Sequence, residues 1–396
     1  AFLGKFGVTS NLITKIYSTF SEVENLIEKI KQNPYMLINI KGIGFKRADE
    51  IAKALGIDVK SPFRIKACLN YTLREYCDNN GNSSIDKFHL YKLLDDSLRF
   101  SKEELLYENI LVEMLAKEEI YSTSENRIAL SMLYYCEKKI LDFFNIRKDK
   151  KNKKIIDSLD EYVEKKQKTL GFTLSSEQQK AVELINSGEK TLFLIGYAGT
   201  GKSTSSRAIL ELLEEIVSYD DIIAIALSGI ASQRISDTTG YNSSTIQSLL
   251  VKHKEKDFFP YKVILLDEAS MVNSVTFAQI ISKISDDTIF IIVGDDGQLP
   301  AIGAGNILAD SIKYELAPIC KLTKIYRQNE NQAIAVIAND IRKGELPNYK
   351  EEYEDFKFVD VSIGNYYSMK NSLSQNEFSD MRSENSEYIL NNILNI

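Results

Sequence analysis

Cysteine is scarce in this sequence, and none of its four cysteines forms a CxxC pair. So small a number argues against a disulfide scaffold and favours a reducing compartment, which we take to be the cytoplasm. Long apolar runs are also missing, because none approaches the about 20 residues that a membrane span needs. No signal peptide is recognisable, so we expect no membrane partner.

An excess of positive charge is absent as well. The 49 basic residues are outnumbered by 56 acidic ones, which gives a formal net charge of −7. No global attraction to nucleic acid follows, so any DNA-binding surface has to be a local patch. With 396 residues, 44% of them hydrophobic and 27% charged, the chain is long enough for two or three globular domains.

The pattern along the chain changes near residue 170. Before it, apolar residues recur at helical spacing, which predicts an all-α N-terminal region. We divide the chain into a helix-hairpin-helix region (1–60), a helical, winged-helix-like region (61–146), a charged linker or solvated helix (147–169), an α/β domain (170–345) and a loosely ordered tail (346–396). In the second region, EEIYSTSENRIAL predicts a small β-hairpin, because alternating residues flank a polar turn.

Four apolar runs define the α/β domain: TLFLIGYA, DIIAIALSG, KVILLDEAS and TIFIIVGD. Runs this uniformly apolar are typical of parallel strands that are buried on both faces. Ligands of open parallel sheets bind at the carboxyl ends of the strands. The polar residues that follow each run are therefore the candidate site.

The first of these loops is a phosphate-binding loop. Gly196, Gly201, Lys202 and Ser203 fit the pattern G-x-x-x-x-G-K-[ST], between a strand and a helix as that motif requires. The glycines let backbone N–H groups approach phosphate oxygens, and the helix N-terminus adds a positive dipole. Lys202 can reach the β- and γ-phosphates of a nucleotide, and the Ser203 hydroxyl can ligate Mg²⁺.

The second loop follows VILLDE and carries two carboxylates. A carboxylate at the end of a buried strand is costly unless it meets a cation, so Asp267 is our Mg²⁺-linked residue. Glu268 is our general base, which takes a proton from the attacking water. The alternative is that the pair caps the following helix.

Four further polar residues complete the predicted nucleotide site. Asp295 and Gln298, in VGDDGQLP, could sense the γ-phosphate or order the water; the alternative is a plain strand-to-turn connection. Gln178, in a helix-capping pattern, is a candidate adenine contact or else a helix-surface glutamine. Arg327, in LTKIYRQ, could stabilise developing charge at the triphosphate or else form a surface salt bridge.

A separate signal lies in KGIGFKRADEIA near the N-terminus, which reads as a helix-hairpin-helix. Gly42 and Gly44 allow a tight turn, and the next helix N-terminus can hold a DNA phosphate. Lys41, Lys46 and Arg47 add positive charge. Contacts of this kind position DNA without reading its sequence. A purely structural helix-turn-helix is the alternative.

Taken in order, these motifs resemble the RecD-like branch of superfamily 1 DNA helicases. The resemblance covers residues 1 to 345, rests most strongly on DEASM and GDDGQLP, and extends to NPYMLINIKGIGFKRADEIA in the region before the motor. It implies ATP and Mg²⁺ as cofactors, single-stranded or forked DNA as partner, and translocation that is typically 5′ to 3′. It also implies that 170–345 is the first of two RecA-like domains with ATP between them.

The family's site residues can be carried over by position. The resemblance implies nucleotide and Mg²⁺ contacts at Gln178, Gly196, Gly199, Thr200, Gly201, Lys202, Ser203 and Thr204, with Mg²⁺ held by Ser203 and Asp267. It implies catalytic roles for Lys202, Asp267, Glu268, Gln298 and Arg327. It also places Ser228, Gly229, Arg234, Thr245 and Gln247 towards DNA, although turn and helix-cap roles are the alternative for those five.

Several departures from the family pattern shape the expectations. VKHKEKDFFPYK is short where RecD-like enzymes often carry a fork-splitting pin, TIQ replaces TIH, and Ile230 replaces an expected basic residue. No motif of a second RecA-like domain follows, and the chain begins mid-pattern. We therefore expect a fragment whose second RecA-like domain, or partner subunits, must be supplied.

Two other functions remain open at this point. One is a non-motor DNA-binding protein in which the helix-hairpin-helix acts and the nucleotide site is regulatory. The other is a P-loop ATPase that acts on protein or RNA partners.

Overall fold

A computed structural model describes residues 3–40, 42–100, 103–124, 126–170, 173–197 and 199–324, and a few positions between 337 and 346. The chain divides into two compact units, 1–324 and 325–396. Everything below concerns the first unit. The predicted tail (346–396) lies almost wholly outside the described residues.

Helices dominate the N-terminal half of the first unit. The helices are α1 (Ser10–Thr19), α2 (Leu26–Gln32), α3 (Phe45–Ala54), α4 (Pro62–Asn80), α5 (Lys87–Leu98), α6 (Glu104–Ala116) and α7 (Ser131–Arg147), with 3₁₀ turns at Leu3–Phe6 and Pro34–Asn39. One apolar cluster runs through all of them. The predicted helical region is therefore present and has its own core.

A three-stranded antiparallel sheet accompanies these helices, so the region is not purely α. Its strands are β1 (Ser84–Asp86), β2 (Ile120–Ser124) and β3 (Arg127–Leu130), in the order β1-β3-β2. The pairing of β2 with β3 confirms the predicted hairpin. β1 was not predicted, because three residues are too few to show alternation.

A buried ion pair holds α3, the second helix of the predicted helix-hairpin-helix, against its neighbours. Asp49 of α3 accepts hydrogen bonds from Arg64 Nε (2.7 Å) and from Tyr35 Oη (2.7 Å). Burial opposes ionisation of Asp49, but the bonds from Arg64, Lys53 and Tyr35 outweigh it and hold its pKa at about 2. This network holds α3 against α4 and against the 3₁₀ turn Pro34–Asn39, which carries Tyr35.

The α/β domain follows, and its α/β class is confirmed. Its helices are α8 (Leu159–Leu170), α9 (Ser176–Asn186), α10 (Lys202–Leu213), α11 (Gly229–Thr239), α12 (Ile246–Lys252), α13 (Ser274–Ile281) and α14 (Ile307–Lys313), with 3₁₀ turns at Tyr219–Asp221 and Ala269–Met271. Its strands are β4 (Thr191–Gly196), β5 (Ile222–Ala226), β6 (Ser243–Thr245), β7 (Val263–Leu266), β8 (Ile289–Gly294) and β9 (Ile319–Leu322).

These six strands form one parallel sheet in the order β6-β5-β7-β8-β4-β9. Alternate residues of the central strands face two different apolar clusters. Phe193 and Ile195 of β4 belong to one cluster, and Leu192 and Leu194 to the other. Burial on both faces explains why these strands lack polar residues.

Helix α7 of the N-terminal region covers part of this sheet. Phe144 is almost fully buried, and its ring centroid lies 5.6 Å from that of Phe193 and 6.1 Å from that of Phe277. The division proposed at residue 146 therefore falls at the end of a helix that serves both cores.

The segment proposed as a charged linker (147–169) packs against the α/β domain. Asn186 bonds both the N–H and the carbonyl of Ile156 through its side chain. Lys150 and Lys151 of the basic run form ion pairs with Asp286 (2.7 Å) and Glu189 (2.5 Å). Part of the charge in this run thus serves docking at the amino edge of the sheet.

Candidate active site at the carboxyl edge of the sheet

The described site residues converge because the sheet is parallel. Strands β4, β8 and β7 are successive neighbours, and their carboxyl ends carry the phosphate loop, Asp295, and the pair Asp267 and Glu268. The next strands, β5 and β6, end at Ala226 and Thr245, which are paired in register. The described loops that we predicted to follow the strands of this domain therefore all lie at one edge of the sheet.

The phosphate loop has the backbone that its glycines permit. Gly199 and Gly201 both have φ of 84°, in the left-handed region, and Gly201 is the N-cap of α10. A Cβ at Gly196 would overlap the Thr200 hydroxyl and lie 2.9 Å from Leu322 Cβ. Gly196 is thus required for packing beneath the loop, and Thr200, buried, bonds the Tyr197 carbonyl at 2.8 Å.

Lys202 lies over this loop at the first position of α10. Its Nζ donates to the carbonyls of Gly196 (2.5 Å) and Tyr197 (3.0 Å). Ser203 and Thr204 follow in the first turn of the helix, where the backbone N–H groups have no partner within the helix. Cation, hydroxyls and helix dipole together can hold a polyphosphate.

Asp267 and Glu268 follow β7 immediately. The Glu268 N–H donates to Asp267 Oδ1 at 2.9 Å. Burial raises the pKa of Asp267, against the opposite effect of that N–H, Lys202 and Arg234. Burial and the Asp267 charge raise the pKa of Glu268. Glu268 also has φ of 54°, an uncommon backbone for this residue type that often marks functional sites.

Asp295 and Gln298 lie in the loop after β8 but in different settings. Asp295 is buried and its Oδ1 accepts from the Gly297 N–H at 3.0 Å, which shapes the turn. Gln298 is exposed, and its N–H donates to the Asp295 carbonyl at 3.3 Å. Asp295 therefore shapes the turn, whereas the side chain of Gln298 is accessible to solvent.

Of the five residues placed towards DNA, two are helix caps. Ser228 Oγ accepts from the Ala231 N–H (3.1 Å), and Thr245 Oγ1 accepts from the Ser248 N–H (3.2 Å). Gly229 opens α11, and no atom lies within 4 Å of the position a Cβ would take. Arg234 and Gln247 are exposed. This surface is open, although its two hydroxyls cap helices and Arg234 interacts electrostatically with Asp267 and Glu268.

Gln178 occupies a capping position at the start of α9. Its Oε1 accepts from the Ser175 N–H (2.9 Å), which forms the predicted capping box, and its Nε2 lies 3.4 Å from the Gly201 carbonyl. Sequence reasoning missed its neighbour Glu177, whose carboxylate accepts from the N–H groups of Thr323 (2.7 Å) and Lys324 (3.4 Å). No local pattern indicates that long-range contact.

The residues of the predicted helix-hairpin-helix differ in backbone conformation and in exposure. Gly42 has φ of 109°, whereas Gly44 is extended and caps α3 with open space around it. Lys46 is exposed. Arg47 is half-buried and donates to the carbonyl of Gly7, and its predicted DNA contact stays a prediction.

Two predicted residues lie outside the described part of the chain: Lys41 and Arg327.

A divalent cation fits the donors that are present. Among the described residues, no group of three or more His, Cys, Asp or Glu side chains could cage a metal. The oxygens of Ser203 and Asp267 suit Mg²⁺, which keeps several waters and usually shares its site with substrate phosphates. The arrangement therefore fits a metal that arrives with a polyphosphate.

Two family models match the chain. The model of the ATP-dependent RecD2 DNA helicase HHH domain matches residues 1–84, and a model described as AAA domain matches residues 173–362. Together they cover both the helical region and the nucleotide-site domain. The order of the two matches is the order that the motifs predicted.

Curated relatives extend across the same regions. The ATP-dependent RecD2 DNA helicase of Deinococcus radiodurans is 26% identical over 362 residues, which is 87% of this chain and 49% of that protein. The RecBCD enzyme subunit RecD of Mycolicibacterium smegmatis is 26% identical over 205 residues, 44% of this chain and 37% of that protein. The chain thus spans about half the length of its RecD2 relative.

A crystal structure of Pif1 helicase from Candida albicans aligns with 45% of each chain at 23% identity and a TM-score of 0.34. So low a score adds nothing to the fold given by the sheet itself.

Within the described residues, no helix is both long enough and apolar enough to cross a membrane.

Proposed function

Because the chain belongs to the RecD-like branch of superfamily 1 helicases, we propose that it carries the ATP-binding domain of a DNA helicase. ATP hydrolysis would be coupled to movement along single-stranded DNA in the 5′ to 3′ direction. One observation carries the proposal: Lys202, Asp267, Glu268 and Gln298 all follow parallel strands that end at one edge. Ligands of open parallel sheets bind at that edge.

The roles of the residues follow from their positions. The N–H groups at the start of α10 and the Lys202 ammonium bind the phosphates, while Gly199, Thr200, Gly201 and the first turn shape the cradle. Mg²⁺, when bound, would neutralise charge on the β- and γ-phosphates. Ser203 and Asp267 would hold it, and Thr204 would support the same turn.

Glu268 has the features of a general base. Burial and the Asp267 charge raise its pKa, which makes its carboxylate a better proton acceptor, while Arg234 and Lys202 oppose that rise. Gln298 would sense the γ-phosphate, and Gln178 would approach the adenine from beside Gly201. The resemblance gives Arg327 a role at the γ-phosphate, and in the complete motor a second RecA-like domain would close the site.

DNA would lie across the open surface formed by Gly229, Arg234 and Gln247, with Ser228 and Thr245 fixing the backbone there. Lys46 and the open N-terminus of α3 offer a second phosphate contact, which Lys41 would extend. Such contacts fix the position of a strand without reading its sequence. All four cysteines are free thiols, in keeping with our placement of the protein in the cytoplasm.

The test is whether nucleotide and DNA sites are coupled. Fluorescence anisotropy of a labelled single-stranded DNA oligonucleotide should give an affinity that changes at least about fivefold between Mg²⁺–ADP and a non-hydrolysable Mg²⁺–ATP analogue, since coupling of about 1 kcal/mol is common between sites. An RNA of the same sequence is the control. DNA affinity that ignores the nucleotide would instead support a non-motor DNA-binding protein, and preference for RNA would support a different ATPase.

A further inference from the structure

The loop that carries Gln298 is long and mostly exposed. It runs from Asp295 to Asn306, between β8 and α14, and Leu299 and Ile302 project into solvent with 81% and 89% exposure. Core packing reaches only part of this loop, at Ala301 and Ala304. Specific contacts at its far end hold it in place.

Asn273 makes one of those contacts from the segment that follows Glu268. Its Nδ2 donates to the Ile302 carbonyl at 3.0 Å, while its Oδ1 accepts from the Thr276 N–H at 2.9 Å and caps α13. The next residue, Ser274, donates its N–H to the Ala304 carbonyl at 3.0 Å. The segment after the carboxylate pair is thus bonded twice to the Gln298 loop.

Two glycines allow this close approach. Gly303 has φ of 104°, and a Cβ there would lie 3.0 Å from Asn273 Nδ2. Gly305 has φ of 91°, and a Cβ there would overlap Ser274 Oγ. Both the backbone conformation and the available space therefore specify glycine, so the contact is a built feature of the fold.

The helical region fixes the outer end of the same loop. The Gly305 N–H donates to the Gly81 carbonyl at 3.0 Å, just beyond α4. Ala304 is buried in the apolar cluster of the helical region. The loop end cannot shift without breaking contacts on both sides.

We propose that Asn273 is a positioning residue for the γ-phosphate: its amide holds the Gln298 loop against the carboxylate segment, on an anchor supplied by Gly81. This inference rests on the proposed function. Asn273 acts through Gln298 and touches no phosphate itself. Its loss should therefore weaken recognition of the γ-phosphate and leave contacts with the other phosphates intact.

Asn273→Ser isolates this role. Serine retains an oxygen that can cap α13, but it is too short to reach the Ile302 carbonyl and has no amide donor. We expect affinity for a fluorescent, non-hydrolysable Mg²⁺–ATP analogue to fall about fivefold to tenfold, the scale of one net hydrogen bond, with fluorescent ADP affinity unchanged. Asn33→Ser is the matched control, because Asn33 also caps a helical turn, at Tyr35.

A double-mutant cycle separates positioning from general loosening of the fold. In a Gln298→Ala background, Asn273→Ser should have no further effect on the ATP analogue, because the Gln298 contact through which Asn273 acts is already missing. Equal losses for ATP and ADP, or additive losses in the cycle, would overturn the inference. If the unmodified chain bound neither nucleotide, the proposed function would fail first, and the two failures are thereby distinguished.

Discussion

Replacing Lys202 by alanine is expected to weaken Mg²⁺–ATP binding at least about 100-fold, since charge-assisted bonds to phosphate are among the strongest in proteins. Lys202 starts α10, and its Nζ already lies over the loop, within 2.5 Å of the Gly196 carbonyl. No other described lysine occupies a comparable position above the glycines. Titration of a fluorescent ATP analogue measures the change.

The control for this variant is Lys180→Ala. Lys180 lies on the surface of α9 in a pair with Glu183, so its loss should leave nucleotide affinity unchanged. Lys202→Arg tests shape at constant charge, and we expect it to bind poorly as well, because a planar guanidinium cannot replace a compact ammonium in the loop. Full binding by Lys202→Ala would show that the loop is not the phosphate site.

Arg147→Ala should produce the largest loss of stability, about 3 kcal/mol or more, because several buried acceptors would lose their donor at a cost of about 1–3 kcal/mol each. The Arg147 side chain is buried at the end of α7 and donates to Thr191 Oγ1 (3.0 Å) and to the carbonyls of Lys190 (3.1 Å), Ser285 (3.1 Å) and Thr288. Burial lowers its pKa to about 10, so it remains protonated at neutral pH.

Alanine would leave these buried acceptors without a donor and detach α7 from the amino edge of the sheet. Urea denaturation followed by circular dichroism measures the loss. Arg207→Ala is the comparison, because Arg207 forms a half-exposed pair with Glu211 on one helix and should cost only about 0.5 kcal/mol. Equal midpoints for the two variants would contradict a structural role for Arg147.

Sequence patterns predicted the elements whose signals are local. The four apolar runs form β4, β5, β7 and β8. The phosphate-binding loop lies between a strand and a helix, as its glycine pattern predicts. Burial on both faces and the steric freedom of glycine leave few other structures for such segments. By contrast, β6 was missed, because Ser243–Thr245 is short and polar and is defined only by its pairing with β5.

Contacts between distant segments could not be predicted. Arg147 looked like part of a solvated basic run, yet its partners are 43 to 141 residues away. Asn273 and Gly81 have no motif of their own, and they meet the Gln298 loop only because α4 and α13 lie beside it. Nothing in the sequence near these residues indicates which carbonyl each will meet.

The same reasoning explains why Arg47 was assigned to DNA. Its neighbours are basic and follow a glycine turn, a pattern typical of phosphate contact. In the structure its guanidinium donates to the carbonyl of Gly7, and the predicted DNA contact stays a proposal. Lys46, one position earlier on α3, remains exposed and keeps the predicted role as a proposal.

The central claim is that this edge of the sheet hydrolyses ATP in a DNA-dependent reaction, and Glu268→Gln tests it most directly. Steady-state ATP turnover is measured with Mg²⁺, with and without single-stranded DNA, for the unmodified protein and for the Glu268→Gln variant. We predict that, once the second RecA-like domain is supplied, DNA stimulates turnover and the Glu268→Gln variant loses about 100-fold in turnover, the usual contribution of a general base, while ATP affinity is retained. Turnover that is equal in the two proteins, or that ignores DNA, would contradict the account.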